Sequence, residues 1–111
     1  MLKNLPKLLS PELLKFLSEM GHGDEVVIAD ANFPAHSINS RVIRLDGISG
    51  TKVLEAILTV LPLDTYSKDN LFVMETTNGD PTPEIWGEYF AIANRLEPNT
   101  HPKSQELDLH L

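Results

Sequence analysis

The sequence predicts an α/β fold: a single-domain layered sheet with helices, in the order helix, strand, strand, helix, strand, helix. Three observations predict it. Apolar stripes at helical spacing recur three times behind capping signals, at 11–20, from Ser49 and from Thr82. Three strand-like runs alternate with them: "EVVIAD" (25–30), "RVIRLD" (41–46) and "LFVMET" (71–76). The length, 111 residues, suits one compact domain and is too short for two ordinary ones.

The elements follow in order. Ser10-Pro11-Glu12 starts the first helix: serine caps, proline suits the first helical position, and glutamate meets the positive end of the dipole. Leu13, Leu14, Leu17 and Met20 form its apolar stripe, and Gly21 stops it. "EVVIAD" is β-branched and long enough for a buried strand, and "NFP" breaks it. "FPAHSINS" reads as a loop. "RVIRLD" alternates apolar and polar residues as a half-exposed strand does. In "SGTKVLEAILTVLP", Val53, Leu54, Ile57, Leu58 and Leu61 make one helical face that Pro62 ends. "LFVMET" is the third strand and "TNGDPTP" a turn and cap. Thr82-Pro83-Glu84 then starts a helix carrying Ile85, Tyr89, Ile92 and Leu96 on one face.

These elements define a domain over 1–96, followed by a polar tail over 97–111. The tail, "EPNTHPKSQELDLHL", is expected to be loose or docked on a partner, with Leu107, Leu109 and Leu111 as a short strand. No run reaches the ~20 apolar residues of a membrane helix. Pro6, Pro11, Glu12, Lys15 and Glu19 interrupt any signal-peptide core, so a cytoplasmic location is the expectation.

Charge and composition narrow the chemistry. Nine basic against sixteen acidic residues give a net charge of -7, the wrong sign for general attraction to nucleic acid or an anionic membrane. The absence of cysteine removes disulfides, thiolate zinc sites and cysteine nucleophiles. No HxxH or HExxH spacing announces a metal, and "GHGD" lacks the phosphate-loop pattern. A neutral or cationic small molecule, or another protein, fits better.

The chemistry-bearing residues gather in "GHGDEVVIADANFPAHS" (21–37). His22 stands between two glycines, which let backbone approach a ligand closely, and an imidazole gives and takes protons near neutral pH. Asp30 closes a strand, where a carboxylate can orient an imidazole or hold a sugar hydroxyl. The plainer readings are that His22 caps the preceding helix and that Asp30 caps a turn with Asn32. Asp24 reads as a turn carboxylate, and His36 as a loop residue at the rim of the site. Asp64 and Tyr66 in "LPLDTY" suit a polyhydroxylated ligand, or equally a turn and a half-buried ring. Trp86 and Tyr89 read as helix packing or a subunit contact.

Several blocks stand together in one order: "PKLLSPELLKFLSEMGHGDEVVIADANFPAHS", "VIRLDG", "VLPLDTY" and "PEIWGEY". In this the chain resembles the L-fucose mutarotase branch of the ribose pyranase and fucose mutarotase family, from residue 2 to about 96. The resemblance implies interconversion of sugar anomers without a cofactor or metal, in a ring-shaped homo-oligomer with sites near subunit boundaries. It places the acid/base histidine on His22 and the sugar-binding aspartates on Asp30 and Asp64. The family pattern continues with an Arg-Phe-x-Phe-Tyr-like segment and with Thr-Gly-Glu and Tyr-Gly-Asn segments that do not occur here, so a shortened form with an exposed sheet edge is expected. The competing expectation is a monosaccharide-binding or assembly subunit without turnover. A third is a metal-dependent hydrolase built on His22, Asp30 and His36.

Overall fold

The computed structural model describes residues 2–30, 32–64, 69–74, 81, 83–97, 100 and 102–105. Its elements are α1 (Pro11–Ser18), α2 (Ala35–Ile38), α3 (Gly50–Val60), β1 (Leu71–Met74), α4 (Ile85–Leu96) and β2 (Pro102–Gln105).

Helix α1 begins as its sequence dictates. Ser10 is extended, its Oγ accepts from the Leu13 N–H at 3.2 Å, and Pro11 follows at the first helical position. Ser49 repeats this on α3, where its Oγ accepts from the Lys52 N–H at 3.4 Å. At the far end the Leu61 N–H reaches Ile57, and Pro62 prevents continuation.

Helix α3 is the centre of the packing because it carries two stripes. Val53, Ala56 and Ile57 meet Leu9, Leu13 and Leu17, so one stripe holds α1 and the chain before it. Leu54 and Leu58 meet Ala93 of α4, which is fully buried, with Tyr89, Ile92 and Leu96 around it. Removing a Leu side chain from such a cluster costs about 2–5 kcal/mol. Arg95 and Glu55 form an exposed ion pair at 3.2 Å, alongside the α3–α4 contact. Ile85, expected on the packing face of α4, is exposed.

The two ladder strands are parallel, with Leu71 opposite Pro102 and Met74 opposite Gln105, and α4 is the crossover between them. Thr100 prepares this return. It is buried, its hydroxyl shares one proton between the carbonyls of Glu97 (2.6 Å) and Ala93 (3.2 Å), and its N–H donates to the Glu97 carbonyl at 3.1 Å, so side chain and main chain both tie it to the end of α4. Strand β2 lies in the polar stretch from 97; Leu107, Leu109 and Leu111 lie outside the described residues.

Mixed helix and strand, the predicted class, is the observed one, but the element order differs. Residues 25–30 and 41–46 were expected as strands and pair in no ladder among the described residues. The physical reason is a missing partner: β-branching favours extended backbone, but a strand exists only where another chain segment accepts its hydrogen bonds. The 41–46 segment keeps the period of two without the ladder. Ile43 and Leu45 pack on the α1–α3 cluster, while Arg44 and Asp46 stay outside and pair with each other at 3.0 Å. The 25–30 run, expected to be buried, is exposed throughout, Val27 at 61%. The expected loop over 33–40 contains one helical turn, α2, closed by the Asn39 N–H on the Ala35 carbonyl at 2.9 Å.

Candidate functional site

The candidate site is built where α1 and α3 end. Past α1 the chain turns sharply over residues 21–24. The Gly21 N–H donates to Asp24 Oδ2 at 2.7 Å, and the Asp24 N–H returns to the Gly21 carbonyl at 3.1 Å. Gly23 holds φ at +86°, a conformation that L side chains rarely adopt. His22 is at the apex of this turn, its side chain 76% exposed.

Past α3, Pro62 breaks the helix and Leu63 packs beside the α3–α4 cluster, so the chain leaves the core at Asp64. The Asn70 side-chain amide donates to the Asp64 carbonyl at 3.3 Å, tying the two ends of the loop together. The Asp64 carboxylate, 25% exposed, approaches the His22 imidazole with Oδ1 3.6 Å from Nδ1. Two segments distant in sequence thus bring a proton carrier and a carboxylate face to face at a surface open to solvent. An imidazole beside a carboxylate has the parts of an acid/base pair.

The other sequence candidates distribute as follows. Asp30 Oδ1 accepts from the Asn32 N–H at 2.9 Å and its carbonyl accepts from the Phe33 N–H at 3.1 Å, the turn anticipated with Asn32. His36 is in α2 and exposed, where a loop was expected. His22, Asp30 and His36 do not converge: among the described residues no three side chains of ligand type come close enough to hold a metal. Tyr66 lies outside the described residues.

Tyr89 packs at the start of α3, where a Cβ on Gly50 would stand 3.0 Å from its hydroxyl, and belongs to the α3–α4 contact. Trp86 faces Phe90 across 6.4 Å between ring centres. Sequence reasoning left Asn70 aside and read Asp24 as a turn carboxylate, which its bonds with Gly21 make it. The signal for Asp24 was present: a carboxylate three residues after a glycine is within reach of that glycine's N–H in a tight turn. No helix among the described residues is long and apolar enough to cross a membrane.

Comparison with known proteins agrees with this architecture. The profile of the RbsD / FucU transport protein family matches residues 3–108. An L-fucose mutarotase of Actinobacillus pleuropneumoniae is 44% identical over 109 residues, covering 97% of this chain and 75% of the relative. The fucose mutarotase of Homo sapiens is 50% identical over 102 residues, covering 85% of this chain and 66% of the relative. The crystal structure of a Streptococcus pneumoniae fucose mutarotase in complex with L-fucose superposes with a TM-score of 0.85 at 41% identity, over 96% of this chain and 76% of that one. FucU from Bifidobacterium longum gives 0.82 at 46% identity, over 92% and 75%.

Proposed function

Since the chain belongs to the RbsD/FucU family, we propose that it is a sugar mutarotase, an isomerase that interconverts the α and β pyranose forms of L-fucose or a related aldose. The observation that carries the reading to this chain's own residues is the exposed His22 imidazole with its Nδ1 3.6 Å from Asp64.

The chemistry follows from acid/base steps alone. A base takes the proton from the anomeric hydroxyl and an acid protonates the ring oxygen; the bond between C1 and the ring oxygen breaks, and a C1 carbonyl forms. Rotation about C1–C2 turns the other face of the carbonyl to the 5-hydroxyl, and the reverse transfers close the ring as the other anomer. Electrons are neither gained nor lost, so the reaction needs no redox cofactor. His22 is the proton carrier of this scheme. Asp64 lies on the Nδ1 side of its ring, orients the imidazole and accepts from sugar hydroxyls. Asp30 holds the sugar through the carboxylate capacity left beyond its bond to Asn32.

The proposal extends to a ring-shaped homo-oligomer. The exposed apolar side chains of Val26, Val27 and Ile28 support it, because a soluble monomer gains nothing by holding three such residues in water. Closure of each site by a neighbouring subunit would fix the sugar relative to His22.

A second reading, a monosaccharide-binding or assembly subunit without turnover, takes its support from the unladdered run at 25–30, which leads directly to Asp30. Saturation-transfer NMR separates the two. A mutarotase transfers saturation between the α and β anomeric protons of L-fucose above the buffer rate. A binding subunit broadens the sugar signals with no such transfer.

A further inference from the structure

We propose that Asp24 is a positioning residue for His22: its carboxylate clasps the turn 21–24 so that the imidazole is held against Asp64. The inference rests on the mutarotase reading for its effect on rate, but on geometry alone for its effect on His22.

The clasp is reciprocal. Asp24 Oδ2 accepts from the Gly21 N–H at 2.7 Å while the Asp24 N–H donates to the Gly21 carbonyl at 3.1 Å, so side chain and main chain both close the same four-residue turn. A hydrogen bond to an ionised acceptor is shorter and stronger than a neutral one, and 2.7 Å is in that range.

Residues 21–30 are all exposed, and neither core cluster includes any of them. The chain on the N-terminal side of His22 is anchored by α1, whose last bonds run from Glu19 to Lys15 and from Met20 to Leu17. On the C-terminal side, Gly23 reverses direction at φ +86°, where a Cβ would meet nothing within 4 Å. Without the carboxylate the turn loses the shorter of its two Gly21–Asp24 bonds and keeps the main-chain one, which loosens the segment that carries His22. Misplacing a reacting group by about 1 Å can cost on the order of 100-fold in rate.

Asn at position 24 keeps an oxygen in the accepting position, and Ala removes it. Three measurements on wild type, Asp24→Asn and Asp24→Ala test the inference: hydrogen exchange at the Gly21 N–H, the nuclear Overhauser effect between the His22 ring and the Asp64 methylene, and saturation transfer on L-fucose. In Asp24→Ala the Gly21 amide should exchange faster, the His22–Asp64 effect should vanish, and anomer exchange should fall about 10- to 100-fold in kcat. Asp24→Asn should retain all three. A folded Asp24→Ala that keeps the His22–Asp64 effect overturns the inference whatever its rate. If Asp24→Ala fails to fold, Asp24→Asn decides: retention of the effect with the Gly21 amide unprotected refutes the clasp. A wild type that shows the effect but no anomer exchange defeats the mutarotase reading and leaves the clasp to be judged by the first two measurements.

Discussion

His22 Nδ1 and Asp64 Oδ1 stand 3.6 Å apart, the histidine at the apex of the turn after α1 and the aspartate on the loop after α3. The packing of Leu13 and Leu17 on Val53 and Ile57 fixes the two helices together, and so fixes where their ends release these side chains. The pair is a product of the core, although neither member is in it.

Asp64→Asn should therefore change rate far more than stability. Asparagine keeps the side-chain volume and removes the carboxylate beside the imidazole, and anomer exchange should fall about tenfold, within the range that general acid–base groups supply. The contact with the exposed His22 side chain should account for about 0–1 kcal/mol of any shift in thermal unfolding. Saturation-transfer rates and melting curves on the same samples check both halves.

Gly23→Ala should cost about 1 kcal/mol of stability, because position 23 holds φ at +86° and a Cβ there meets backbone strain and no neighbour. Gly23→Asn should cost less, since asparagine tolerates this region better. Urea titrations of the two variants rank them. Equal midpoints would show that the turn relaxes freely.

At the start of α3, Gly50 and Tyr89 should be energetically coupled. Gly50→Ala places a methyl group 3.0 Å from the Tyr89 hydroxyl, whereas Tyr89→Phe removes that oxygen and leaves ring carbons at 3.8 Å. A double-mutant cycle should show Gly50→Ala more favourable in the Phe background by about 0.5 kcal/mol or more. Additive effects would mean that α4 shifts to accommodate the methyl group.

Val27→Lys should leave the folded chain as stable as before but lower its assembly mass. Val27 is 61% exposed and packs on neither core cluster, so within one subunit its replacement should matter by about 0.5 kcal/mol or less. Light scattering on wild type and variant reads the difference. Identical masses would remove 25–28 from any subunit interface.

How much of this was legible in the sequence divides along physical lines. The three long helices were, because Ser10 and Ser49 cap two of them and the stripes of all three match the helical period; α4 starts behind Glu84 without a side-chain cap. Strands were harder. "EVVIAD" announces a strand by β-branching, yet pairing depends on a partner that local sequence does not reveal. "PKSQ" of β2 announces nothing, because its place is set by the return of α4 alongside β1 and by Thr100.

The site shows the same split. The glycines around His22 marked it as presented, and the turn of Asp30 with Asn32 was readable as a local spacing. That Asp64 stands beside the imidazole follows from the docking of α1 on α3, a long-range contact that no motif spells out.

The most direct test of the central claim, anomer interconversion through His22, is saturation-transfer NMR on L-fucose with wild type and His22→Ala compared at equal folded concentration. The side chain is 76% exposed, so the variant should fold as wild type does. The account predicts transfer between anomeric protons above the buffer rate in wild type and its loss in His22→Ala. Equal rates in the two proteins, or no transfer in a folded wild type, would contradict it.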